Sequence, residues 1–160
     1  MTMIQPAISH YPVQLNPRLF AAGGNDREAG AAPGAGGRRA DERLLGRRIL
    51  IVEDEALLAL ELQLAFEDEG AEVLGPALSL MTALETVAHA REIDFAVLDV
   101  DIAGEEVYPI AEILLQRGVP FLFHTGHGSR SQLTQMFPGT ITLVKPTLPE
   151  TLIGHILRGR

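Results

Sequence analysis

Residues 49–70, ILIVEDEALLALELQLAFEDEG, decide the fold, because an unbroken apolar run is followed at once by a segment with helical spacing. The run ILIVE (49–53) predicts a strand that is buried on both faces. The next segment has apolar residues at the spacing of one helix face: Leu57, Leu58, Leu62 and Phe66. Gly70 stands where helices commonly end. The stretch therefore predicts a strand followed directly by a helix.

The same alternation continues along the chain. Further strands are predicted at residues 71–77, 94–99, 119–126 and 140–144, and further helices at 80–92, 107–118, 129–137 and 148–159. Ser79 is a suitable N-cap for the second helix. Continuous apolar strands that alternate with helices predict an α/β fold. We expect a doubly wound, five-stranded parallel sheet of the flavodoxin-like type, with strand order 2-1-3-4-5 and three layers.

Composition excludes several classes of protein. The chain of 160 residues suits one ordinary domain, and the absence of cysteine excludes disulfides and thiolate metal sites. A net charge of −8 is too acidic for a protein that binds nucleic acid by neutralising phosphates. No apolar run reaches the roughly 18 residues of a membrane span, and no signal peptide is recognised. We expect a cytoplasmic location.

Residues 1–45 differ in composition from the rest. They contain the Gly/Ala/Pro-rich stretch AAGGNDREAGAAPGAGGRRADE and have no apolar period of either a strand or a helix. We predict that residues 1–45 are a disordered leader and that residues 46–160 are the folded domain. Removal of residues 1–44 is expected to leave stability nearly unchanged.

Polar residues follow four of the predicted strands. They are Glu53 and Asp54 after the first strand, Asp99 after the third, Thr125 in the fourth, and Lys145 with Pro146 after the fifth. The carboxyl ends of parallel strands form the ligand-binding edge of such sheets. Carboxylates gathered there repel one another unless a cation lies among them. Mg²⁺ prefers oxygen ligands and tolerates a site that keeps several waters, so we predict that it binds here.

The same edge carries the groups that phosphoryl transfer requires. Asp99 is a possible nucleophile, Thr125 offers a hydroxyl donor, and Lys145 is the only lysine of the chain. A compact ammonium suits a phosphoryl oxygen as a point charge. Catalysis of this reaction consists mostly of alignment and charge neutralisation. The pattern therefore favours phosphoryl transfer onto Asp99.

Each of these residues also has an ordinary structural explanation. Glu53 and Asp54 suit the start of a helix, Thr125 suits a turn before a glycine, and Lys145 suits an exposed surface. The coincidence of four polar positions at one edge favours a site.

Other titratable residues carry weaker signals. His124 and His127 are too few for a transition-metal site and are interpreted as structural or rim residues. Glu105 and Glu106 are interpreted as solvated loop acids, with stabilisation of a helix start as the alternative.

The order of the edge residues resembles the receiver domain of two-component response regulators, over about residues 47–158. This resemblance implies that Asp99 is the phospho-acceptor and that Glu53, Asp54 and Asp99 bind Mg²⁺. It also implies that Asp101 contributes its backbone carbonyl to the metal and that Thr125 and Lys145 contact the phosphoryl group. By the same resemblance the Lys145–Pro146 peptide bond is cis.

A narrower similarity links LDVDIAGEEVYPIAEILLQRGVPFLFHTGHG to the FAT GUY single-domain receivers. The strand-four motif departs from Phe-Ala-Thr-Gly-hydrophobic-Tyr and is Phe-His-Thr-Gly-His-Gly here, at residues 123–128. Most receivers carry an aromatic residue at the position of Thr142, and it swings inward when the threonine engages the phosphate. The resemblance therefore argues against a switch of this kind here. Asp101 stands where asparagine is frequent in the subfamily, and its charge is expected to change the lifetime of the phosphate.

The resemblance implies a single-domain response regulator of a phosphorelay. Its partners would be a sensor histidine kinase or phosphotransfer protein and an unknown downstream protein, and it could act as a phosphate sink; no separate turnover substrate is expected. Two alternatives stay open. The motif AVLDVD also matches haloacid-dehalogenase-type phosphatases, with Asp99 as nucleophile and Asp101 as acid/base. The other alternative is a degenerate receiver that binds a partner protein without being phosphorylated.

Overall fold

The computed structural model describes residues 43–126 and 130–159. The strands in these ranges are β1 (Arg48–Val52), β2 (Glu72–Ala77), β3 (Phe95–Leu98), β4 (Asp101–Ile102), β5 (Glu105–Glu106), β6 (Phe121–Thr125) and β7 (Ile141–Val144). The helices are α1 (Ala56–Asp68), α2 (Leu80–His89), α3 (Tyr108–Gln116), α4 (Arg130–Met136) and α5 (Pro149–Arg158). All ten predicted elements are therefore confirmed, and β4 and β5 are additional.

The main sheet has five parallel strands in the order β2-β1-β3-β6-β7. This confirms the predicted doubly wound topology, because β6 and β7 are the fourth and fifth strands of the sequence analysis. The chain winds outward from β1 in both directions, and the strand order reverses between β1 and β3. Ligand sites in such sheets lie beyond the carboxyl ends of the strands at this point.

The side chains of β1 show why its sequence is apolar throughout. Ile49 and Ile51 pack in the cluster that contains buried residues of α1 and α5. Leu50 and Val52 pack in the cluster that contains buried residues of α2, α3 and α4. Successive strand residues point to opposite faces, so helices on both faces require apolar residues at every position. The molecule therefore has three layers, as predicted.

Helix α1 packs through most of the stripe that its spacing predicted, since Leu62 and Phe66 are buried and Leu58 packs against the same cluster. Its buried residues are Ala59, Leu62 and Phe66. Leu57, which the spacing placed on the buried face, is 83% exposed. Because α1 carries leucine or alanine on nearly every side, the periodicity identified the helix and most of its packed face but not the exposure of Leu57.

A small antiparallel hairpin follows β3 and was absent from the sequence analysis. β4 pairs with β5 through Asp101 with Glu106 and Ile102 with Glu105. The two loop residues, Ala103 and Gly104, both have positive φ, 54° and 89°. Such two-residue loops match the twist of an antiparallel pair. Glu105 and Glu106 are exposed, as expected, but they belong to a strand.

Residues 1–42 lie outside the described residues, so the disordered leader stays a prediction there. Two of the residues assigned to that leader, Arg43 and Leu44, are part of the packed structure. Leu44 is fully buried in the cluster with α1 and α5. Arg43 pairs with Glu69 at the end of α1 and with Glu150 in α5. A truncation through residue 44 would therefore remove a core side chain.

No helix within the described part of the chain has the length and apolar character needed to cross a membrane.

Candidate functional site

The parallel sheet brings polar groups of four strands to one edge. They are Glu53 and Asp54 after β1, Asp99 after β3, Thr125 at the end of β6 and Lys145 after β7. Hydrogen bonds between the strand ends hold this register. The Asp99 N–H donates to the Val52 carbonyl and the Lys145 N–H to the Thr125 carbonyl, both at 2.8 Å. The predicted site residues are therefore neighbours in the structure.

Lys145 lies between two buried carboxylates. Its Nζ is 2.5 Å from Asp99 Oδ2 and 2.8 Å from Glu53 Oε1. Glu53 is 2% exposed and Asp99 is 6% exposed, so neither charge is well solvated. The ammonium compensates both carboxylates. We call Glu53, Asp99 and Lys145 the floor of the site.

Burial and pairing shift the pKa values of the floor in a consistent way. Burial raises the pKa of the Glu53 carboxyl to about 7, although the hydrogen bond from Lys145 opposes this shift. Burial also acts to lower the pKa of Lys145, but its hydrogen bonds with Asp99 and Glu53 outweigh burial and raise it. Lys145 therefore remains charged, and the Glu53 carboxylate is costly to ionise even beside this ammonium.

A bulge in β2 helps to place Glu53. Leu50 pairs with Leu74, but Val52 pairs with Ala77, so the register shifts between them. The Glu53 N–H then donates to the Ala77 carbonyl at 3.0 Å, one residue beyond the end of β1. Gly75 has φ 101°, and a Cβ there would lie 2.7 Å from the Ala77 nitrogen. Glycine is therefore required at this position.

The mouth of the site is built differently from its floor. Asp54 Oδ2 accepts a hydrogen bond from the Ala103 N–H at 2.9 Å, and Asp101 Oδ1 accepts one from the Gly104 N–H at 2.7 Å. Both donors belong to the turn between β4 and β5. We call Asp54, Asp101 and this turn the rim. The rim, Thr125 and two of the floor residues border an open pocket of about 490 Å³. It is lined by Asp54, Asp99, Asp101, Ala103, Gly104, Thr125, Gly126 and Lys145.

The acidic residues suit a hard divalent cation. Glu53, Asp54 and Asp99 each offer a carboxylate oxygen, and these three atoms lie within 4.8 Å of one another. Oxygen donors of this kind, next to an open pocket that leaves room for water, are what Mg²⁺ prefers. The donor set therefore fits the ion. The predicted contribution of the Asp101 carbonyl stays a prediction.

Thr125 and the segment around Lys145 lie where the resemblance implied. Thr125 is 5% exposed and borders the pocket together with Asp99 and Lys145. The Lys145–Pro146 peptide bond is cis, which confirms that implication. Thr142 is half-buried in β7.

His124 has a property that the sequence did not reveal. It is 1% exposed, and neither ring nitrogen has a hydrogen-bond partner among the described residues. Burial and the nearby Lys145 lower the pKa of His124 to about 4. The predicted structural role is consistent with this burial, and the apolar run around residues 121–123 was the available signal. His127 lies outside the described residues.

No family model matches the sequence, and no curated protein matches it. Solved structures of receiver domains do match. The solution NMR structure of the PhyR response regulator REC domain from Erythrobacter litoralis is 26% identical, with a TM-score of 0.63 over 72% of this chain and 90% of that chain. The crystal structure of the response regulator PhyR from Brucella abortus is also 26% identical, with a TM-score of 0.62 over 74% of this chain and 49% of that chain.

A response regulator receiver protein from Sinorhizobium medicae WSM419 is 24% identical, with a TM-score of 0.61 over 70% of this chain and 94% of that chain. This chain thus spans nearly the whole of the two receiver structures and about half of the Brucella protein. The FAT GUY subtype is not confirmed by these likenesses and stays a prediction. The described part of this chain therefore has the fold of a response regulator receiver domain, and it is similar to the two PhyR structures at 26% identity.

Proposed function

We propose that this protein is a phosphorelay receiver that accepts a phosphoryl group on Asp99. The observation that carries the proposal is the contact of Lys145 with Asp99 at 2.5 Å and with Glu53 at 2.8 Å, beside an open pocket. The ordinary structural explanations, an exposed lysine and acids at the start of a helix, do not account for a lysine that contacts two buried carboxylates. The geometry is suited to a reaction in which negative charge arrives at Asp99.

The chemical step requires little more than alignment. A carboxylate oxygen of Asp99 attacks the phosphorus of the donor and forms a P–O bond. The bond from phosphorus to the donor breaks, and its electron pair stays on the leaving group. Lys145 and the Thr125 hydroxyl can each donate to a phosphoryl oxygen, which stabilises the transferred charge. Bound Mg²⁺, held by Glu53, Asp54 and Asp99, would supply further positive charge for the same oxygens.

The proposed donors are a sensor histidine kinase or a phosphotransfer protein. The phosphorylated protein would act in the cytoplasm through contacts with another protein or as a phosphate sink, in a single-domain role. A net charge of −8 gives no support to direct binding of nucleic acid. We propose no separate turnover substrate, so the protein would not be an enzyme in the ordinary sense.

The phosphatase alternative is less well supported. It assigns acid/base chemistry to Asp101, but this carboxylate is exposed and accepts a hydrogen bond from the Gly104 N–H in its own turn. The additional acids that bind the metal in those phosphatases follow the lysine, whereas Glu53 and Asp54 precede Asp99 here. Both the chain order and the geometry favour the receiver.

Phosphorylation by a small donor tests the proposal. The wild-type protein incubated with Mg²⁺ and acetyl phosphate should gain one phosphoryl group per chain in intact mass spectrometry. Asp99→Asn should gain none. Asp94→Asn is the matched control, because it makes the same Asp-to-Asn change just before β3, at the opposite end of the strand. This variant should be phosphorylated normally.

An unmodified wild-type protein, or a phosphoryl group retained by Asp99→Asn, would refute the assignment. Release of many phosphate molecules per chain from p-nitrophenyl phosphate, lost in Asp101→Ala, would support the phosphatase instead.

A further inference from the structure

We propose that the β4–β5 turn is a positioning device for Asp54, in which the backbone N–H of Ala103 holds the Asp54 carboxylate ready for a divalent cation. This inference rests on the proposed function, because it takes Asp54 to be a Mg²⁺ ligand. It adds Ala103, a residue without a functional side chain, to the groups that determine metal affinity.

The contact links two distant parts of the chain. The Ala103 N–H donates to Asp54 Oδ2 at 2.9 Å across 49 residues of sequence. No other described residue hydrogen-bonds to the Asp54 carboxylate. Asp54 is only half-buried, so the packing of its neighbours alone does not fix the orientation of its carboxylate. The direction of this carboxylate therefore depends on where the turn presents its N–H.

The turn holds an uncommon conformation. Ala103 has φ 54°, and it is the only non-glycine residue with positive φ in the described ranges. A left-handed alanine is unfavourable and persists when its surroundings determine it. Here Ile102 is fully buried beside it, and the Gly104 N–H is bonded to Asp101 Oδ1 at 2.7 Å. These two contacts anchor the turn on both sides of Ala103 and fix the direction of its N–H.

A neutral donor is suited to this position. The Asp54 oxygen lies within 4.8 Å of oxygens of Glu53 and Asp99, and like charges would turn it away from them. Lys145 already supplies a full positive charge to Glu53 and Asp99. A backbone N–H restrains Asp54 without neutralising it, so the cluster still attracts a cation. Second-layer contacts of this kind orient metal ligands and contribute to affinity.

Two substitutions at residue 103 test whether the turn and its N–H position Asp54. Ala103→Pro removes the N–H and cannot adopt a positive φ. Ala103→Gly keeps the N–H and suits the left-handed conformation, which makes it the matched control. Isothermal titration calorimetry with MgCl₂ would give the dissociation constant of each protein. We expect Ala103→Pro to bind Mg²⁺ about 10- to 100-fold more weakly and Ala103→Gly to bind it at least as tightly as wild type.

Equal Mg²⁺ affinity of all three proteins would overturn the positioning role and leave the proposed function intact. Absence of Mg²⁺ binding by the wild-type protein would instead refute the metal site itself, and this inference with it.

A second measurement needs no proline variant. In Mg²⁺-free solution, NMR should find the Ala103 amide proton protected from exchange in wild type and at least about 10-fold less protected in Asp54→Ala. The Gly104 amide, which is bonded to Asp101, should keep its protection in both proteins and serves as the internal control. An Ala103 amide that exchanges at the same rate in wild type and Asp54→Ala would show that the hydrogen bond does not hold this turn and would overturn the proposal.

Discussion

The floor and the rim of the site handle negative charge in opposite ways. On the floor, Glu53 and Asp99 are almost fully buried and share the ammonium of Lys145. On the rim, Asp54 and Asp101 lie nearer to solvent and accept hydrogen bonds from backbone N–H groups of one turn. The floor therefore combines charge pairing with backbone donors, the N–H groups of Val100 and Glu55, in a poorly solvated environment. The rim has neutral donors alone, beside water.

This difference separates two contributions to function. A buried charge that loses its partner destabilises the fold strongly, so the floor couples the chemistry to the stability of the fold. Accessible charges contribute little to stability, so the rim can be adjusted for cation binding at small cost. Three substitutions test the contrast between buried and exposed positions, beginning with the largest expected effect.

Removal of the floor cation should be the most damaging change. Lys145→Met leaves Glu53 and Asp99 buried together without a compensating positive charge. In Mg²⁺-free buffer at pH 8, the free energy of unfolding should fall by about 3–5 kcal/mol. Urea denaturation followed by circular dichroism measures this change. The rim control Asp101→Asn keeps an acceptor for Gly104 and should change the same quantity by less than about 0.5 kcal/mol. Equal losses in the two variants would contradict the distinction.

Two adjacent leucines allow the same contrast to be tested without charge. Leu44 is fully buried, whereas Leu45 is 64% exposed. Leu44→Ala should lower the free energy of unfolding by about 3 kcal/mol, because it empties a core position. Leu45→Ala should lower it by less than about 0.5 kcal/mol. A pair of small effects in thermal and urea denaturation would mean that residue 44 belongs to the leader after all.

His124 should make stability depend on pH. Its pKa is lowered to about 4 in the folded protein, while an unfolded histidine has a pKa of about 6.5. The unfolded state therefore binds the proton first. The contribution of His124 to the free energy of unfolding should be complete above about pH 6.5. It should be lost as the pH falls toward 4, by about 3 kcal/mol in total.

Replacement of His124 by an apolar residue isolates this contribution. His124→Leu should remove it from the pH profile of the unfolding free energy and should raise stability at pH 7 by about 1–2 kcal/mol, because no unpartnered ring nitrogens remain buried. His89→Gln, at an exposed position of α2, should leave the profile unchanged. If the free energy of unfolding depends on pH in the same way in His124→Leu as in wild type, other groups cause the pH dependence.

Much of the fold was predictable because its signals are local. The run from Ile49 to Val52 is apolar at every position, which is what a strand covered on both faces requires. Ser79 was recognisable as a helix cap, and its hydroxyl does accept the Thr82 N–H. The exposure of Leu57 in α1 was not predictable, because Leu57 and Leu62 are chemically alike and only the position of the sheet decides that one is exposed and the other buried.

The candidate site, like the fold, was predictable only in part. The sequence by itself determined which groups reach the edge of the sheet, since parallel strands that end in Glu53, Asp99 and Lys145 carry these residues to the same edge. Only the tertiary structure decided how they are paired, because Lys145 is 92 residues from Glu53 and 46 from Asp99 in the chain. The rim likewise depends on a left-handed alanine that no local propensity favours. Local patterns record which side chains a segment carries, whereas burial and long-range contacts arise only when the segments pack together.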